Sequence, residues 1–444
     1  MNLKSVLKEM GVVGGGGAGF PTHIKVSNQC DTCIANGLEC EPLLFNDKYL
    51  MEEEGEKIVA GFEMVMKAVG AKKGIIALKK KHRSITGKIK KAISGKKDIS
   101  IRYLDDYYPA GDEFLLTEEM THKIIPEGGI PLDVGVLVNN VETLKNVFYA
   151  SEGQPVIKRL LTCTGEVKKP AIINAHIGTP FREIINLCEP IAEDYVVIAG
   201  GPMTGKVEFN LDTPVTKLIG GIIVLPENHP LILKKTLSIE YIIKQSKAAC
   251  CQCRYCTDLC PRYLLGHELH PHKIMRQINL GISIPNEIIR NAFLCSECGL
   301  CEVFACPMEL SPRIINQNIK EKLLEAGYKP EFPKKEIKQR EMMAFRKIPS
   351  SRIKNHLRLN KYDKNEAQVK RVFETKPERV EILLQQHIGA PSIPVVQVGE
   401  RVDEGTLIAD IPKDQLGAKI HASIKGKVTY IDADKIIIQK NDER

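Results

Sequence analysis

Eight of the fourteen cysteines in this 444-residue chain fall in two tight runs. Cys250, Cys253, Cys256 and Cys260 follow C-x2-C-x2-C-x3-C, with Pro261 next. Cys295, Cys298, Cys301 and Cys306 follow C-x2-C-x2-C-x4-C, closed by Pro307. Three thiolates at this spacing wrap one iron–sulfur cube, and a fourth Cys followed by Pro turns away to ligate the neighbouring cube. The spacing therefore predicts two [4Fe–4S] clusters with exchanged fourth ligands. The first takes Cys250, Cys253, Cys256 and Cys306; the second takes Cys295, Cys298, Cys301 and Cys260. Structural zinc would instead use paired C-x2-C knuckles, four ligands per ion. Cys251 lies off the pattern. Cys163 and Cys188 sit in apolar sequence and read as core. Cys30-x2-Cys33 has the spacing of a redox pair; plain packing, or a further metal site shared with Cys40, are the alternatives. Two clusters with no substrate pocket of their own make an electron wire, and a wire needs a donor.

The other chemically marked stretch is VVGGGGAGFPTHIK, residues 12–25, in which Gly14, Gly16 and Gly19 satisfy G-x-G-x-x-G. A dinucleotide-binding turn follows a strand and opens a helix. Here a short amphipathic helix precedes the loop and Pro21 follows it. The loop still suits a phosphate, because successive glycine N–H groups can line an anion nest and missing Cβ atoms allow close approach. Lys25 adds a positive charge.

At these residues the sequence resembles a family. GGGGAGFPTHIK is similar to the G-R-G-G-A-G-F-P-T-G-L-K loop of the flavin-binding, NADH-oxidising subunit of respiratory complex I. NGLECEP (36–42), YYPAGDE (107–113) and VNNVETL (138–144) resemble three further segments of that subunit, in the same order. The resemblance implies FMN contacts from Gly14, Gly16, Gly17, Lys25, Asn36, Glu39, Tyr108, Glu113, Asn139, Asn140 and Thr143. It implies a catalytic position for Glu41 beside the nicotinamide of NADH. Gly15 stands where the family has Arg, and Leu38 where it has an acid, which points to looser flavin binding. Cys30 and Cys33 are expected near the flavin, where thiols would suit a thiol- or selenol-dependent partner.

Placing this chemistry requires several elements. The expected architecture is multidomain α/β and α+β. Residues 1–158 form a Rossmann-like FMN/NADH domain, and 159–236 a soluble-ligand-binding β-grasp module whose GGPMTGK (200–206) reads as a turn. Residues 237–320 form a two-cluster, ferredoxin-like domain, and 321–374 a basic helical linker. Residues 375–444, with short β runs broken by Gly and Asp, form a barrel-sandwich hybrid. Lys419, the candidate for a swinging lysine there, has the setting of a strand. This order resembles the RnfC-like iron–sulfur flavoproteins with the sandwich domain moved to the end. The likeness is greatest to the cobalamin reductases of propanediol-degrading bacteria, with the RnfC-like carriers of proline reductase as a sibling group. It implies NADH as donor, and a corrinoid or corrinoid enzyme, or else a partner reductase, as acceptor.

Composition bounds the rest. The formal charge is +8, concentrated between residues 313 and 372, where 17 Lys+Arg face 7 Asp+Glu. Residues 72–97 hold 11 Lys+Arg and no acid. With no Trp and no DNA-binding motif, these runs read as solvated faces rather than a nucleic-acid surface. No apolar run approaches membrane-spanning length, and the N-terminus has no secretory core. A cytosolic chain, in a bacterial microcompartment for the cobalamin reductase branch, is expected, with homo-oligomerisation open.

Overall fold

The computed structural model describes residues 2–191, 193–282, 285–333, 335–363 and 371–440. Five strands occupy the N-terminal part: β1 (Thr32–Gly37), β2 (Lys73–Lys79), β3 (Ile99–Leu104), β4 (Tyr107–Tyr108) and β5 (Val136–Asn140). Four of them form a wholly parallel sheet in the order β3-β2-β1-β5. Both faces are covered, so β2 reads as an unbroken apolar run through Ile75, Ile76, Ala77 and Leu78, all fully buried. Helix Gly55–Val69 contributes Ile58, Val59, Phe62, Val65, Met66 and Val69 at helical spacing and ends at Gly70 with φ +70°. Its Gly61 marks the crossing with helix Val141–Ser151: a Cβ there would stand 2.0 Å from the Leu144 carbonyl oxygen. Strand order reverses between β1 and β5, and the crevice at their carboxyl ends is where open α/β sheets take ligands.

The next five strands are β6 (Lys158–Gly165), β7 (Ala171–His176), β8 (Tyr195–Ala199), β9 (Lys206–Glu208) and β10 (Gly221–Pro226). They enclose Phe181, Ile184 and Ile185 of helix Phe181–Leu187 together with Cys163 and Cys188. Two later strands join earlier sheets: β11 (Ile348–Pro349) pairs with β4, and β12 (Val372–Glu374) lies parallel to β7. The second sheet thus runs β12-β7-β6-β10-β8-β9. The basic stretch expected as a linker therefore contributes strands as well as helix Ser350–His356, and its Ile348, Ile353 and Leu357 pack with Tyr108, Met203 and Leu300.

The cysteine runs lie among helices Ile239–Ala249, Pro271–Asn279 and Pro312–Glu325, whose Ile242, Ile274 and Ile315 share one core. The C-terminal part holds β13 (Arg379–Leu383), β14 (Ile393–Pro394), β15 (Arg401–Val402), β16 (Leu407–Asp410), β17 (Ile420–His421), β18 (Gly426–Ile431) and β19 (Lys435–Gln439). They form two small sheets, β13-β19-β18-β15 and β14-β16-β17, closed on Val380, Ile382, Ile408, Ile436 and Ile438. Lys419 stands just before β17, its Nζ 2.8 Å from Glu9 and 3.4 Å from Asp410.

This C-terminal unit backs the glycine stretch. The Ile388 N–H donates to the Gly19 carbonyl at 3.3 Å. A Cβ on Gly19, whose φ is +75°, would meet Leu218 at 2.6 Å and the His387 backbone at 3.2 Å. In the 72–97 run, Lys79 and Lys81 both pair with Asp106, while Lys80, Lys88 and Lys96 pair with Asp105, Glu53 and Glu63. Among the described residues no helix is long and apolar enough to cross a membrane.

Candidate functional site

The residues expected to hold a flavin converge on the carboxyl ends of β1 and β5. Asn139 and Asn140 end β5. Asn140 caps helix Val141–Ser151 by accepting the Glu142 N–H at 2.8 Å, and its Nδ2 donates to Asp47 at 2.9 Å. The Gly15 N–H donates to Thr143 Oγ1 at 2.9 Å, which lays the glycine loop across the amino end of this helix. Gly16 lies against Asn140, with 3.0 Å from its Cβ position to the Asn140 side chain; nothing lies within 4 Å of that position on Gly17. An exposed glycine backbone beside a helix amino terminus favours an anion.

Lys25 donates to the Val138 carbonyl at 2.7 Å. Burial lowers the pKa of its ammonium, and Glu113, at the start of helix Glu113–Thr121, opposes that shift. Asn36 donates to the Gly111 carbonyl at 2.9 Å and accepts the Leu38 N–H. Glu39 accepts the Asp47 N–H at 3.0 Å; burial first, then the Asp47 charge, raises its carboxyl well above the usual range. Burial pushes Asp47 itself up to about 7. The buried Asn139 Nδ2 has no hydrogen-bond partner among the described residues. An orphaned donor, a buried ammonium beside a single carbonyl and an open glycine edge are the features an FMN would satisfy.

Two of the expected residues face the neighbouring modules instead. Tyr108 donates its hydroxyl to the Cys298 carbonyl at 2.6 Å. Glu41 is clasped by the turn at 200–205: it accepts the Met203 N–H at 2.9 Å, the Thr204 N–H at 2.9 Å and the Thr204 hydroxyl at 2.6 Å. From behind, Lys235 donates to the carbonyls of Met203 and Gly205 at 3.2 and 2.7 Å. The same turn reaches the second cysteine run, where the Cβ position of Gly299 is 3.4 Å from the Met203 carbonyl oxygen.

The structure places the final cysteine of each run with the other run. Cys250, Cys253, Cys256 and Cys306 line one cavity, walled by His272, Met275, Met308 and Leu310. Cys260 lies within electrostatic reach of Cys298 and Cys295, and Cys301 within reach of Cys295, Cys298, Cys256 and Cys260. Burial pushes the free thiols of Cys256 and Cys298 up to about 12, so loading iron must displace their protons. Four sulfurs at this spacing around an apolar cavity suit a [4Fe–4S] cube. The two groups differ in depth. Cys260 and Cys301 are buried and Cys295 and Cys298 half-buried; in the other group Cys256 is buried, but Cys253 is exposed, beside Cys251 and a half-exposed Tyr255.

Cys30 and Cys33 are not at the flavin pocket. Their sulfurs lie 3.8 Å apart in the core at the amino end of β1, whereas the pocket is at its carboxyl end. Four strand residues, ~13 Å at about 3.3 Å each, separate Cys33 from Gly37, and Cys40 lies beyond. A shared metal site is therefore ruled out by the strand itself. Among the described residues no three His, Cys, Asp or Glu side chains are grouped to hold a single ion.

Several residues escaped the motif reading because they act across modules. Arg262, two residues after Cys260, grips Asp112 of the flavin part through both guanidinium nitrogens at 2.7 and 3.1 Å. Arg313 and Glu302 form a buried ion pair beside Cys301. Arg159 on β6 is buried between Glu142 and the glycine loop. Glu142 was in plain view inside VNNVETL, but no spacing rule ties it to a residue seventeen positions on.

Comparison with known proteins matches three segments to family models: residues 7–149 to the Nuo51 FMN-binding domain, 249–311 to a 4Fe-4S dicluster domain and 355–443 to the RnfC barrel sandwich hybrid domain. The cobalamin reductase PduS of Citrobacter freundii is 39% identical over 438 residues, 98% of this chain and 96% of its own; that of Salmonella typhimurium gives the same values. One subunit of the Na(+)-translocating ferredoxin:NAD(+) oxidoreductase complex of Acetobacterium woodii is 35% identical over 269 residues, 59% of this chain and 58% of its own. In fold, the chain resembles part of the NAD+-reducing [NiFe]-hydrogenase in its H2-reduced state, with TM-score 0.51 and 21% identity over 74% of this chain and 63% of that one.

Proposed function

Because the chain belongs to the family of the PduS cobalamin reductases, we propose that it oxidises NADH at FMN and sends the electrons through two [4Fe–4S] clusters to a corrinoid. Bound FMN would take two electrons from the nicotinamide as a hydride and release them singly to the clusters. The chain's own work is placement. The Asn140–Thr143 turn and the glycine loop receive the phosphate end, with Lys25 behind them. Glu39 and Asn36 border the ring, while Glu41 holds the turn at 200–205 against the pocket.

The observation that carries this reading is the Tyr108 hydroxyl on the Cys298 carbonyl. It joins β4, in the flavin part of the chain, to a cysteine of the second run. The order is then flavin, the cluster of Cys295, Cys298, Cys301 and Cys260, and last the cluster of Cys250, Cys253, Cys256 and Cys306. The last carries the exposed cysteine, Cys253, where an acceptor can dock.

The test is anaerobic reconstitution with iron, sulfide and FMN, followed by NADH-dependent reduction of cob(II)alamin. Cys253→Ala should abolish corrinoid reduction while NADH still bleaches the flavin. If wild-type protein reduces a partner reductase readily and cob(II)alamin not at all, the corrinoid is wrong and the chain is an RnfC-like carrier.

A further inference from the structure

The glycine loop has glycine at position 15, where the loops it resembles carry arginine. The structure fills that space from another module. Arg159 leaves β6 of the second sheet and reaches the loop: its Nη2 donates to the Gly15 carbonyl at 2.9 Å and its Nε to the Ile219 carbonyl at 3.0 Å. Its Nη1 pairs with the buried Glu142 carboxylate, whose other oxygen accepts the Leu160 N–H at 3.4 Å. A Cβ on Gly15 would stand 2.9 Å from Arg159 Nη1. Arg159 as a whole is 5% exposed. Its charge opposes the burial-driven rise of the Glu39 and Asp47 carboxyls, so it is felt across the pocket.

Glu142 sets the physical problem. It is a buried carboxylate in the first turn of helix Val141–Ser151, beside the helix terminus that would receive a phosphate. An unneutralised carboxylate there would repel a phosphate dianion. A guanidinium can neutralise it and at the same time hold a neighbouring carbonyl with a spare N–H. Holding the Gly15 carbonyl inward also fixes the peptide that precedes the open glycine edge.

We propose that Arg159 is the positioning residue of the FMN phosphate site, supplying from the β-grasp sheet the cation that the glycine loop lacks at position 15. It does not touch the flavin; it acts through Gly15 and Glu142. Flavin affinity then depends on the docking of the β-grasp module. This rests on the reading of the pocket as the FMN site.

The experiment measures FMN affinity by quenching of flavin fluorescence on anaerobic, cluster-loaded full-length protein. Arg159→Met should weaken FMN binding roughly ten- to a hundredfold, the range of a hydrogen bond to a charged group. Arg159→Lys keeps the charge, loses the fork and should fall between. Gly15→Arg alone should also weaken binding, because its side chain meets Arg159. The double variant Gly15→Arg/Arg159→Met should bind FMN more tightly than either single variant, a reversal that a purely structural role would not give. Since Arg159→Met strands a buried charge, Glu142→Gln/Arg159→Met is measured beside it; this variant should keep its iron and still bind FMN weakly. Wild-type affinity in that neutral pair, or a Gly15→Arg/Arg159→Met variant no tighter than the singles, overturns the proposal. Wild-type protein that binds no FMN overturns the pocket itself.

Discussion

The Tyr108 hydroxyl stands 2.6 Å from the carbonyl oxygen of Cys298, a hydrogen bond that helps join the flavin part of the chain to its iron–sulfur part. Tyr108→Phe removes that bond and leaves an acceptor unsatisfied in the core. FMN and iron content should remain at wild-type levels. Stability should fall by roughly 0.5–1.5 kcal/mol. Stopped-flow absorbance after mixing with NADH should show the flavin bleaching at the usual rate and the iron–sulfur shoulder bleaching more slowly. Equal cluster rates in both proteins would remove Tyr108 from the path.

The exchange of terminal cysteines gives a pairing test. Cys306→Ala should lose about four iron and match Cys253→Ala, keeping NADH-dependent bleaching of the buried cluster. Cys260→Ala should instead match Cys298→Ala, with the exposed cluster present but no longer reduced by NADH. Iron and sulfide analysis with EPR of the reduced protein decides it. A Cys260→Ala spectrum like that of Cys253→Ala would mean that each run keeps its own fourth ligand.

Asp47 predicts a pH effect of definite sign. Burial raises its folded pKa to about 7, against an ordinary value of about 3.9. Between those values the folded chain keeps a proton that the unfolded chain has released. Asp47 therefore makes stability fall as pH rises from about 4 to about 7. Asp47→Asn cannot ionise and should flatten that slope. Urea midpoints at pH 5.5 and 7.5 measure it. The same midpoint difference in both proteins would show that Asp47 titrates normally.

Cys30 and Cys33 should matter for packing alone. Their double Ala variant should lose roughly 0.5–3 kcal/mol of stability and keep its rate with NADH, both toward an artificial dye and toward the native acceptor. A selective loss with the native acceptor would restore a redox role.

The grouping of the eight cysteines was legible from sequence because thiolates that share a cube must sit close together, which forces short spacings. The glycine loop and the VNNVETL turn were legible for the same reason: a phosphate constrains a few consecutive backbone groups. What stayed hidden is long-range. Arg159 and Glu142 belong to different modules, and Arg262 finds Asp112 across 150 positions. The glycines and proline of GGPMTGK mark the turn at 200–205, but its grip on Glu41 depends on how two modules meet. Cys30 and Cys33 misled through proximity in sequence: a strand carries residues four apart to opposite ends of a sheet.

The contact between Ile388 and Gly19 bears on how the protein is made. A ribosome releases the glycine loop before the two cysteine runs, and residues 387–388 after them. The flavin loop is held by Thr143 and Arg159 at Gly15, but its Gly19 end gains its support at Ile388 only when the C-terminal sandwich folds onto it. A chain truncated before residue 387 should therefore still load iron and sulfide while retaining FMN more weakly.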